Sequence, residues 1–129
     1  MKTLSEETYV KQAEQVIASL VRTDRQGKPS IFLTSSKIRT LLSLISSIYN
    51  DVRLIQEDQL TEDTWAKIQY LRVRFVYESG RDRDVKQFVE NAKIMSCIDE
   101  IGQSKKNFLL FSKYMEALVA YHKYYGGRD

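Results

Sequence analysis

The stretch FLTSSKIRTLLSLISSIYNDV, residues 32–52, decides the fold that the sequence predicts. Its apolar side chains recur every three or four residues, which is the spacing of one face of an α-helix. Three hydroxyl residues at positions 34–36 precede this pattern and can cap the helix start. We therefore predict a helix from residue 34 to about residue 55, whose core face is formed by Ile38, Leu41, Leu42, Ile45, Ile48, Tyr49 and Val52.

The rest of the chain is also patterned for helices, and no segment alternates cleanly between apolar and polar residues. Gly27 and Pro29 interrupt the pattern, so we interpret residues 23–31 as a mobile loop. Gly102 is placed to stop a helix. The sequence thus predicts an all-α fold, one compact domain over residues 1–129 with about five helices, at residues 5–22, 34–55, 61–80, 83–101 and 104–124.

Two further helix starts carry cap signals. Thr3 and Glu6 have the spacing of a capping box, which would begin the first helix. Thr61 is followed by Glu62 and Asp63, whose negative charges suit the positive end of the third helix. The third helix has apolar residues over most of its circumference, and we expect it to lie centrally in the bundle.

Composition and charge narrow the class of protein. The chain has 129 residues, 43% hydrophobic and 29% charged, which is ordinary for a globular domain. A single cysteine excludes an internal disulfide and fits a reducing compartment. We find no apolar run near the roughly 20 residues that a membrane span needs, and we expect a cytoplasmic protein without membrane contact. The net charge of +3 is mild, so an anionic partner would have to bind a local patch.

Few residues suggest catalysis or metal binding. Cys97 and His122 are the only thiol and the only imidazole, so a His/Cys metal site of the usual composition is excluded within one chain. Cys97 falls inside an apolar helical pattern, which favours a buried structural thiol over a nucleophile. Asp82 and Asp84 are interpreted as helix-start residues, with a metal ion as the weaker alternative. We expect no enzyme activity, no catalytic residue, no metal and no cofactor.

The distribution of charge along the chain points to an anionic partner. Residues 25–50 hold four basic side chains and no acid, and residues 65–77 hold three basic side chains and no acid. Two such windows are unusual in a chain with 17 acids, and they suggest surfaces that face an anion. The basic residues are Arg25, Lys28, Lys37 and Arg39 in the first window, and Lys67, Arg72 and Arg74 in the second.

Helical spacing arranges these residues in two stripes. The second helix presents Arg39, Ser43, Ser46, Asn50 and Arg53 on one line, away from its core face. Small hydroxyls between arginines would let a nucleic-acid strand approach and contact its phosphates. A plain solvated face or a helix–helix contact remains an equal alternative for this stripe alone.

The third helix presents a second stripe, formed by Lys67, Tyr70, Arg74, Tyr77 and Arg81. Basic residues interleaved with tyrosines suit an RNA backbone, although tyrosines at this spacing more often pack against protein. The two stripes together favour nucleic-acid binding. Because no base-reading motif is present, we expect this binding to be independent of sequence.

Three segments carry a family resemblance. The stretch at residues 32–52, with LTSSKIR at its start, resembles the small helical subunit of the type III-A CRISPR–Cas effector, the Csm complex. The segments LRVRFVYESGRD with VKQFVENAKI, and FLLFSKYMEALVAYHKYYGG, continue the resemblance. It covers nearly all of the chain after Gly27. The LTSSKIR element is fairly specific, whereas the first helix matches only in type.

The resemblance implies a non-catalytic subunit. In such complexes several copies of the small subunit stack beside the backbone subunits and flank the guide–target RNA duplex, and the catalytic steps belong to the backbone and large subunits. The expected partners are therefore those subunits, further copies of this chain, guide RNA and target RNA. By the resemblance, Lys37, Arg39, Arg74 and Arg81 would contact RNA, while Arg53 and Lys67 join them on stripe geometry alone. The alternative is a helical protein–protein adaptor whose basic stripes bind acidic partners.

Overall fold

Polar caps begin most of the helices in the computed structural model of this chain, which describes residues 3–128. The Thr34 hydroxyl accepts a hydrogen bond from the Lys37 amide at 3.2 Å, and Thr61 and Ser104 act in the same way. Such caps satisfy backbone donors that the first helical turn leaves free. The helices are α1 Tyr9–Ser19, α2 Ser35–Val52, α3 Glu62–Arg81, α4 Arg83–Asn91, α5 Ile94–Ile101 and α6 Lys105–Tyr124.

The predicted all-α fold is confirmed, with six helices in the described residues where the sequence predicted about five. The fourth predicted helix is divided, because Lys93 adopts the left-handed conformation with φ 56° and ψ 41°. A left-handed residue cannot continue a right-handed helix, so α4 ends at Asn91 and α5 begins at Ile94. The buried Tyr114 hydroxyl donates to the Ala92 carbonyl at 3.0 Å and holds this break in place.

The segment interpreted as a loop contains a short hairpin. Strand β1, Val21–Thr23, pairs antiparallel with β2, Pro29–Ile31. The Asp24 carboxylate accepts the Gln26 and Lys28 amides at 2.9 Å, and this side-chain turn replaces the dipeptide signals on which hairpin prediction relies. The prediction that residues 23–31 are mobile stays a prediction.

The first helix starts later than predicted, and its capping box is not formed. α1 begins at Tyr9, and the N-cap residue, Thr8, makes no side-chain cap bond. The Thr3 amide and hydroxyl both donate to the Glu100 carboxylate, and Glu6 pairs with Lys113 at 3.7 Å. Thr3 and Glu6 therefore bond to side chains of α5 and α6 and not to each other's backbone amides, as a capping box would require.

Helix α6 occupies the centre of the bundle, where it packs against α1, α2 and α5. Its inward side chains are almost completely buried: Phe108, Phe111, Tyr114, Met115 and Leu118. The expectation that α3 lies centrally was wrong. α3 buries Ile68, Leu71 and Phe75 against α2 and α4, while its opposite face is exposed. Among residues 3–128, no helix is long and apolar enough to cross a membrane.

The last turn of α6 and the residues that follow it fold back over the start of α2. His122 is 1% exposed, and its Nε2 donates to the Leu33 carbonyl at 2.7 Å. The Arg128 carbonyl accepts a hydrogen bond from the Ser35 amide. Gly127 lies so close to the imidazole that a Cβ atom there would stand 2.0 Å from the ring. A glycine is therefore required at this position, and the entry into α2 is closed by residues 122–128.

The conformation of Lys93 generates a stability prediction. We expect Lys93→Gly to raise the free energy of unfolding by about 0.5–1 kcal/mol, because glycine adopts the left-handed conformation without steric cost. Lys86→Gly is the matched control, since Lys86 lies on an exposed face inside α4, and this change should destabilise by about 1 kcal/mol. Urea unfolding of both variants measures the difference. Equal destabilisation by both would contradict the role given to Lys93.

Candidate nucleic-acid interface

Helices α2 and α3 pack side by side in opposite directions. Near the start of α2, Lys37 pairs with Asp82, which directly follows α3. Near the other end, Lys67 in the first half of α3 pairs with Asp51 at 2.8 Å, close to the end of α2. The antiparallel arrangement places the two predicted stripes on neighbouring helices and leaves a surface groove between them.

The α2–α3 groove has two cavities, and Arg74 lines both. The cavity at the start of α2 measures about 370 Å³ and brings Lys37, Arg74 and Arg81 together, with Glu78 and Asp82 beside them. The other cavity measures about 470 Å³ and is lined by Lys67 and Arg74, with apolar walls from Leu44, Ile48, Tyr70 and Leu71. Four of the six predicted RNA-binding residues thus share one groove.

The remaining two predicted residues lie outside the groove. Arg39 and Arg53 are exposed on the outer face of α2, Arg39 in its first turns and Arg53 at its C-cap. The stripe between them is continuous and exposed, as predicted from helical spacing. The six residues therefore form two adjacent surfaces instead of one: the α2–α3 groove and the outer face of α2.

The Lys37 side chain forms an ion pair with Asp82, which lies at the boundary between α3 and α4. The lysine side chain is about half exposed, and its bond to Asp82 raises the pKa of the lysine. The same bond to Lys37, together with the Val85 and Asp84 amides, holds the pKa of Asp82 below its usual value of 3.8. Asp82 thereby also caps α4, as the sequence interpretation of an acid at a helix start predicted. The positive charge of Lys37 is largely compensated within the chain.

Lys67 is compensated even more fully. Its ammonium group lies 2.8 Å from Asp51 and 3.3 Å from Asp63, and these two carboxylates raise its pKa. The window at residues 65–77 is free of acid along the chain, but in the folded protein two acids flank its first basic residue. Lys67 is therefore the weakest of the six candidates for a phosphate contact.

Three arginines keep their charge available. Within residues 3–128, no carboxylate pairs with Arg39, Arg53 or Arg74. Arg81 is intermediate: it lies 3.4 Å from Glu78 and over the Tyr77 ring at 5.6 Å. Among the six candidates, the uncompensated positive charge therefore lies on the outer face of α2 and in the middle of the groove.

The hydroxyls of α2 are directed at their own helix. Ser43 donates to the Thr40 carbonyl at 2.7 Å, and Ser46 donates to the Leu42 carbonyl at 3.1 Å. Thr40 and Ser47 make equivalent bonds. In this conformation the hydroxyl hydrogens are already used within the helix. A hydroxyl would have to rotate before it could donate a hydrogen bond to a phosphate, but its small volume is available without any change. Small size is therefore the property that the stripe offers most directly.

The candidate catalytic residues are structural in this fold. Cys97 is 2% exposed, and burial raises its pKa to about 12. His122 is buried in the contact with Leu33. No group of three or more potential metal-binding side chains occurs among residues 3–128. The Asp82 carboxylate pairs with Lys37 and accepts hydrogen bonds from backbone amides as the N-cap of α4. Asp84 lies in the first turn of the same helix, so both acids are at a helix start, as the sequence predicted.

Sequence reasoning missed the carboxylates that enter the groove. Glu78 and Asp82 lie beside Lys37 and Arg81, and Asp51 reaches Lys67 from the neighbouring helix. Glu78 had a detectable signal, because it precedes Arg81 by three residues on one helix. The ion pairs between helices had no detectable signal in the sequence, because they depend on how α2 and α3 align.

Comparison with known proteins identifies the family. The model of the family described as Csm2 Type III-A matches residues 7–128. This chain belongs to the Csm2 type III-A family. A relative from Streptococcus thermophilus, named CRISPR system Cms protein Csm2, is 44% identical over 129 residues, which is the whole of both chains. A relative of the same name from Mycobacterium tuberculosis is 41% identical over 96% of both chains. Another, from Enterococcus italicus, is 41% identical over 79% of this chain and 77% of its own length.

The resemblance read from the sequence is thereby confirmed. The Csm2 family match begins inside the segment that precedes α1, so it includes the first helix, where the residues alone matched only in type. It also includes both walls of the α2–α3 groove and all six candidate RNA-binding residues. The family match does not test which of those residues contact RNA.

The shifted pKa of Asp82 predicts a pH-dependent contribution to stability. A carboxyl whose pKa is lowered by folding stabilises the protein above its usual pKa of 3.8, and this contribution is lost as the pH falls below about 4. We expect Asp82→Ala to cost about 1 kcal/mol at neutral pH, the usual cost of a lost N-cap. Asp82→Asn is the matched control, because asparagine caps a helix without charge. Denaturant unfolding from about pH 7 to pH 3 should show a weaker pH dependence in Asp82→Asn than in the parent chain, and an unchanged pH dependence would contradict this assignment.

The burial of Cys97 predicts a thiol that does not react in the folded protein. At about pH 8 only roughly one thiol in ten thousand would be ionised at a pKa near 12, and the side chain is also inaccessible to reagents. We expect no labelling by a chromogenic disulfide reagent in buffer and one thiol per chain in urea. Rapid labelling of the folded chain would contradict the structural role of Cys97.

Proposed function

We propose that this chain is the non-catalytic small subunit of a type III-A CRISPR RNA-guided effector complex, and that it contacts the RNA backbone without sequence specificity. Several copies would stack along the guide–target RNA duplex. The observation that carries the proposal is the pair of adjacent surfaces with uncompensated arginines, the α2–α3 groove with Arg74 and the outer face of α2 with Arg39 and Arg53, in a member of the Csm2 family.

The chemistry of these surfaces suits phosphates. A guanidinium group binds a phosphate through two parallel hydrogen bonds and stays charged at every relevant pH. Arg74 is half-buried between two cavities, so a strand in the groove would meet it wherever it crosses. The small residues between Arg39 and Arg53 would allow a second stretch of backbone to lie against α2. Arginine side chains contact phosphates of any sequence in the same way, so we expect these surfaces to show no base preference.

A single copy would bind RNA weakly. Three uncompensated arginines supply about three phosphate contacts, and affinity from such contacts falls steeply with salt. Stacked copies that share one duplex would add their contacts at high effective concentration, which raises the overall affinity without any new type of contact. This is the physical reason for proposing several copies, and it makes the other Csm subunits and further copies of this chain the partners. We expect the protein to be located in the cytoplasm.

The absence of catalysis belongs to the same proposal. Within residues 3–128 the single thiol and the single imidazole are buried in structural contacts, and no potential metal cluster is formed. Target cleavage would then be performed by other subunits of the complex, while this chain positions the RNA. Nuclease activity of the purified chain would contradict this part of the proposal.

The test compares arginines with the compensated lysine. We expect Arg39→Ala, Arg53→Ala and Arg74→Ala to weaken target-RNA retention by the reconstituted complex, each lowering the slope of log affinity against log salt by roughly one unit. Lys67→Ala is the matched control and should change the slope little, because Asp51 and Asp63 already compensate that charge. Filter binding of two unrelated targets at several salt concentrations measures both quantities.

Three outcomes would count against the proposal. Different losses for the two targets would indicate base reading. Loss of complex assembly with unchanged RNA affinity would show that the arginines form contacts between subunits. Preserved RNA binding with loss of binding to an acidic protein partner would favour the adaptor function. Thermal melts of each variant provide the folding control, and they should stay within about 0.5 kcal/mol of the parent because the arginines lie outside the core.

A further inference from the structure

The β1–β2 hairpin carries basic side chains that the proposed function does not use. Arg22, Arg25 and Lys28 are all exposed, and we call them the hairpin cations. Within residues 3–128, no carboxylate forms an ion pair with any of the three. The acid of the hairpin, Asp24, accepts two backbone amides of its own turn. The hairpin therefore forms a further surface with uncompensated positive charge, apart from the α2–α3 groove.

The two sides of the hairpin differ in character. Ile31 on β2 is completely buried, so its side chain marks the inner side. Because side chains alternate along a strand, the outer side carries Lys28, Ser30 and Phe32. Arg22 stands opposite Ser30 in the strand pair and therefore shares the outer side. The outer side is thus basic, and the inner side faces the core.

Arg22 is held in place by its neighbours on the outer side. Its guanidinium group donates to the Gln87 side chain of α4 and lies 5.8 Å from the centre of the Phe32 ring. Arg128 lies 4.5 Å from the centre of the same ring and donates to the Ser30 hydroxyl at 2.9 Å. A side chain that is already fixed loses little conformational entropy when it binds an anion. Arg22 is therefore prepared to pair with a carboxylate.

The outer edge of β1 presents backbone groups without a partner strand. The Asp24 amide donates to the Lys28 carbonyl at 2.8 Å, so these two residues form a hydrogen-bonded pair. Such pairs alternate with non-hydrogen-bonded ones in an antiparallel ladder, and the next pair is Thr23 with Pro29. The Thr23 amide and carbonyl therefore point away from β2. Within residues 3–128, neither group bonds to backbone elsewhere.

The two edges of the hairpin are not equally open to another strand. Pro29 has no amide hydrogen, so β2 cannot donate a hydrogen bond from this position on its outer edge. Proline on an edge strand is a common protection against the addition of a further strand. β1 has no proline, and Thr23 is exposed. Of the two edges, β1 is therefore the one at which another strand can pair.

We propose that the β1 edge and the hairpin cations bind an extended, acidic segment of another protein. The segment pairs with Thr23 through its backbone and places a carboxylate beside Arg22, as in a cross-strand ion pair. Arg25 and Lys28 attract further carboxylates near the turn. A peptide backbone supplies both the donors and the acceptors that a strand edge needs, whereas the phosphodiester backbone of RNA has no amide donors. The open edge therefore favours a protein partner.

The short edge determines how strong this contact is. β1 has three residues, so it offers few backbone hydrogen bonds, and the cations that assist them are exposed to solvent. We expect weak binding that falls as the salt concentration rises, because salt screens exposed charges. The contact does not rest on the proposed RNA role, since the hairpin cations line neither the α2–α3 groove nor the outer face of α2.

A peptide titration tests the charge requirement. The probe is a short fluorescent peptide of alternating glutamate and valine, added to the full chain at low salt and followed by anisotropy. The same peptide with glutamine for glutamate should bind about tenfold less tightly or worse, and Arg25→Glu should weaken the glutamate peptide by a similar factor. Lys11→Glu is the matched control, because Lys11 is exposed on α1. It makes the same change in net charge and should alter the affinity by no more than about twofold.

A backbone variant tests the strand edge. Thr23→Pro removes the outward amide hydrogen without removing a hydrogen bond to β2, and it should weaken peptide binding by about tenfold. Thr23→Ala keeps the amide and should bind the peptide like the parent chain. Thermal melts of both variants should match the parent, because Thr23 is exposed.

Hydrogen exchange in the parent chain gives a measurement that needs no variant. The Thr23 amide should exchange about tenfold more slowly when the peptide is bound, because it then donates to the added strand. The Asp24 amide is the internal control, since it already donates to Lys28 and should change little.

Several results would overturn the proposed peptide site. They are a glutamate peptide that does not bind, a glutamine peptide that binds equally well, and an unchanged exchange rate of the Thr23 amide. Loss of single-stranded RNA binding in Arg25→Glu, without any peptide binding, would assign the hairpin cations to RNA instead. Arg74→Ala should leave peptide binding unchanged, so the peptide site and the proposed RNA contacts can fail independently.

Discussion

The burial of α6 is the constraint on which the rest of the structure depends. Its aromatic and aliphatic side chains point to several sides of the helix, so a single neighbouring helix cannot cover them. α1, α2 and α5 surround it, and α3 packs mainly against α2, α4 and α5. Because burying a large apolar side chain contributes about 1.5–3 kcal/mol, this arrangement is the main source of stability. It also leaves one face of α3 with nothing in the described chain to cover it.

The predictable parts of the fold were those fixed by local signals. Thr34, Thr61 and Ser104 cap helices where the sequence predicted helix starts. The core face of α2 matches its apolar period except at Tyr49, which was predicted to be in the core and is 38% exposed. The break at Lys93 was not predictable, because a lysine carries no preference for the left-handed conformation that it adopts. Tertiary packing around Tyr114 imposes it. The hairpin was missed for a similar reason, since its turn depends on the Asp24 side chain.

The candidate site shows the same division between local and tertiary information. Helical spacing correctly grouped the basic residues into two stripes and placed them on the surface. The prediction did not separate compensated from uncompensated cations, because charges were compared only along the chain. In the folded protein Asp82 reaches Lys37 and Asp51 reaches Lys67, so the alignment of two helices determines which cations remain uncompensated. Arg39, Arg53 and Arg74 are distinguished only at this level.

The contact between His122 and Leu33 has a consequence for the order of folding. These residues are 89 positions apart, so the entry into α2 is completed by a segment that is synthesised much later. During translation α1 and α2 leave the ribosome without that segment and without α6, which covers their apolar faces. Most contacts within helical proteins are local, but this one requires the closure of a long loop. The nascent chain therefore exposes the face of α2 that becomes its core, and a chaperone or an early partner would meet that face before the native bundle forms.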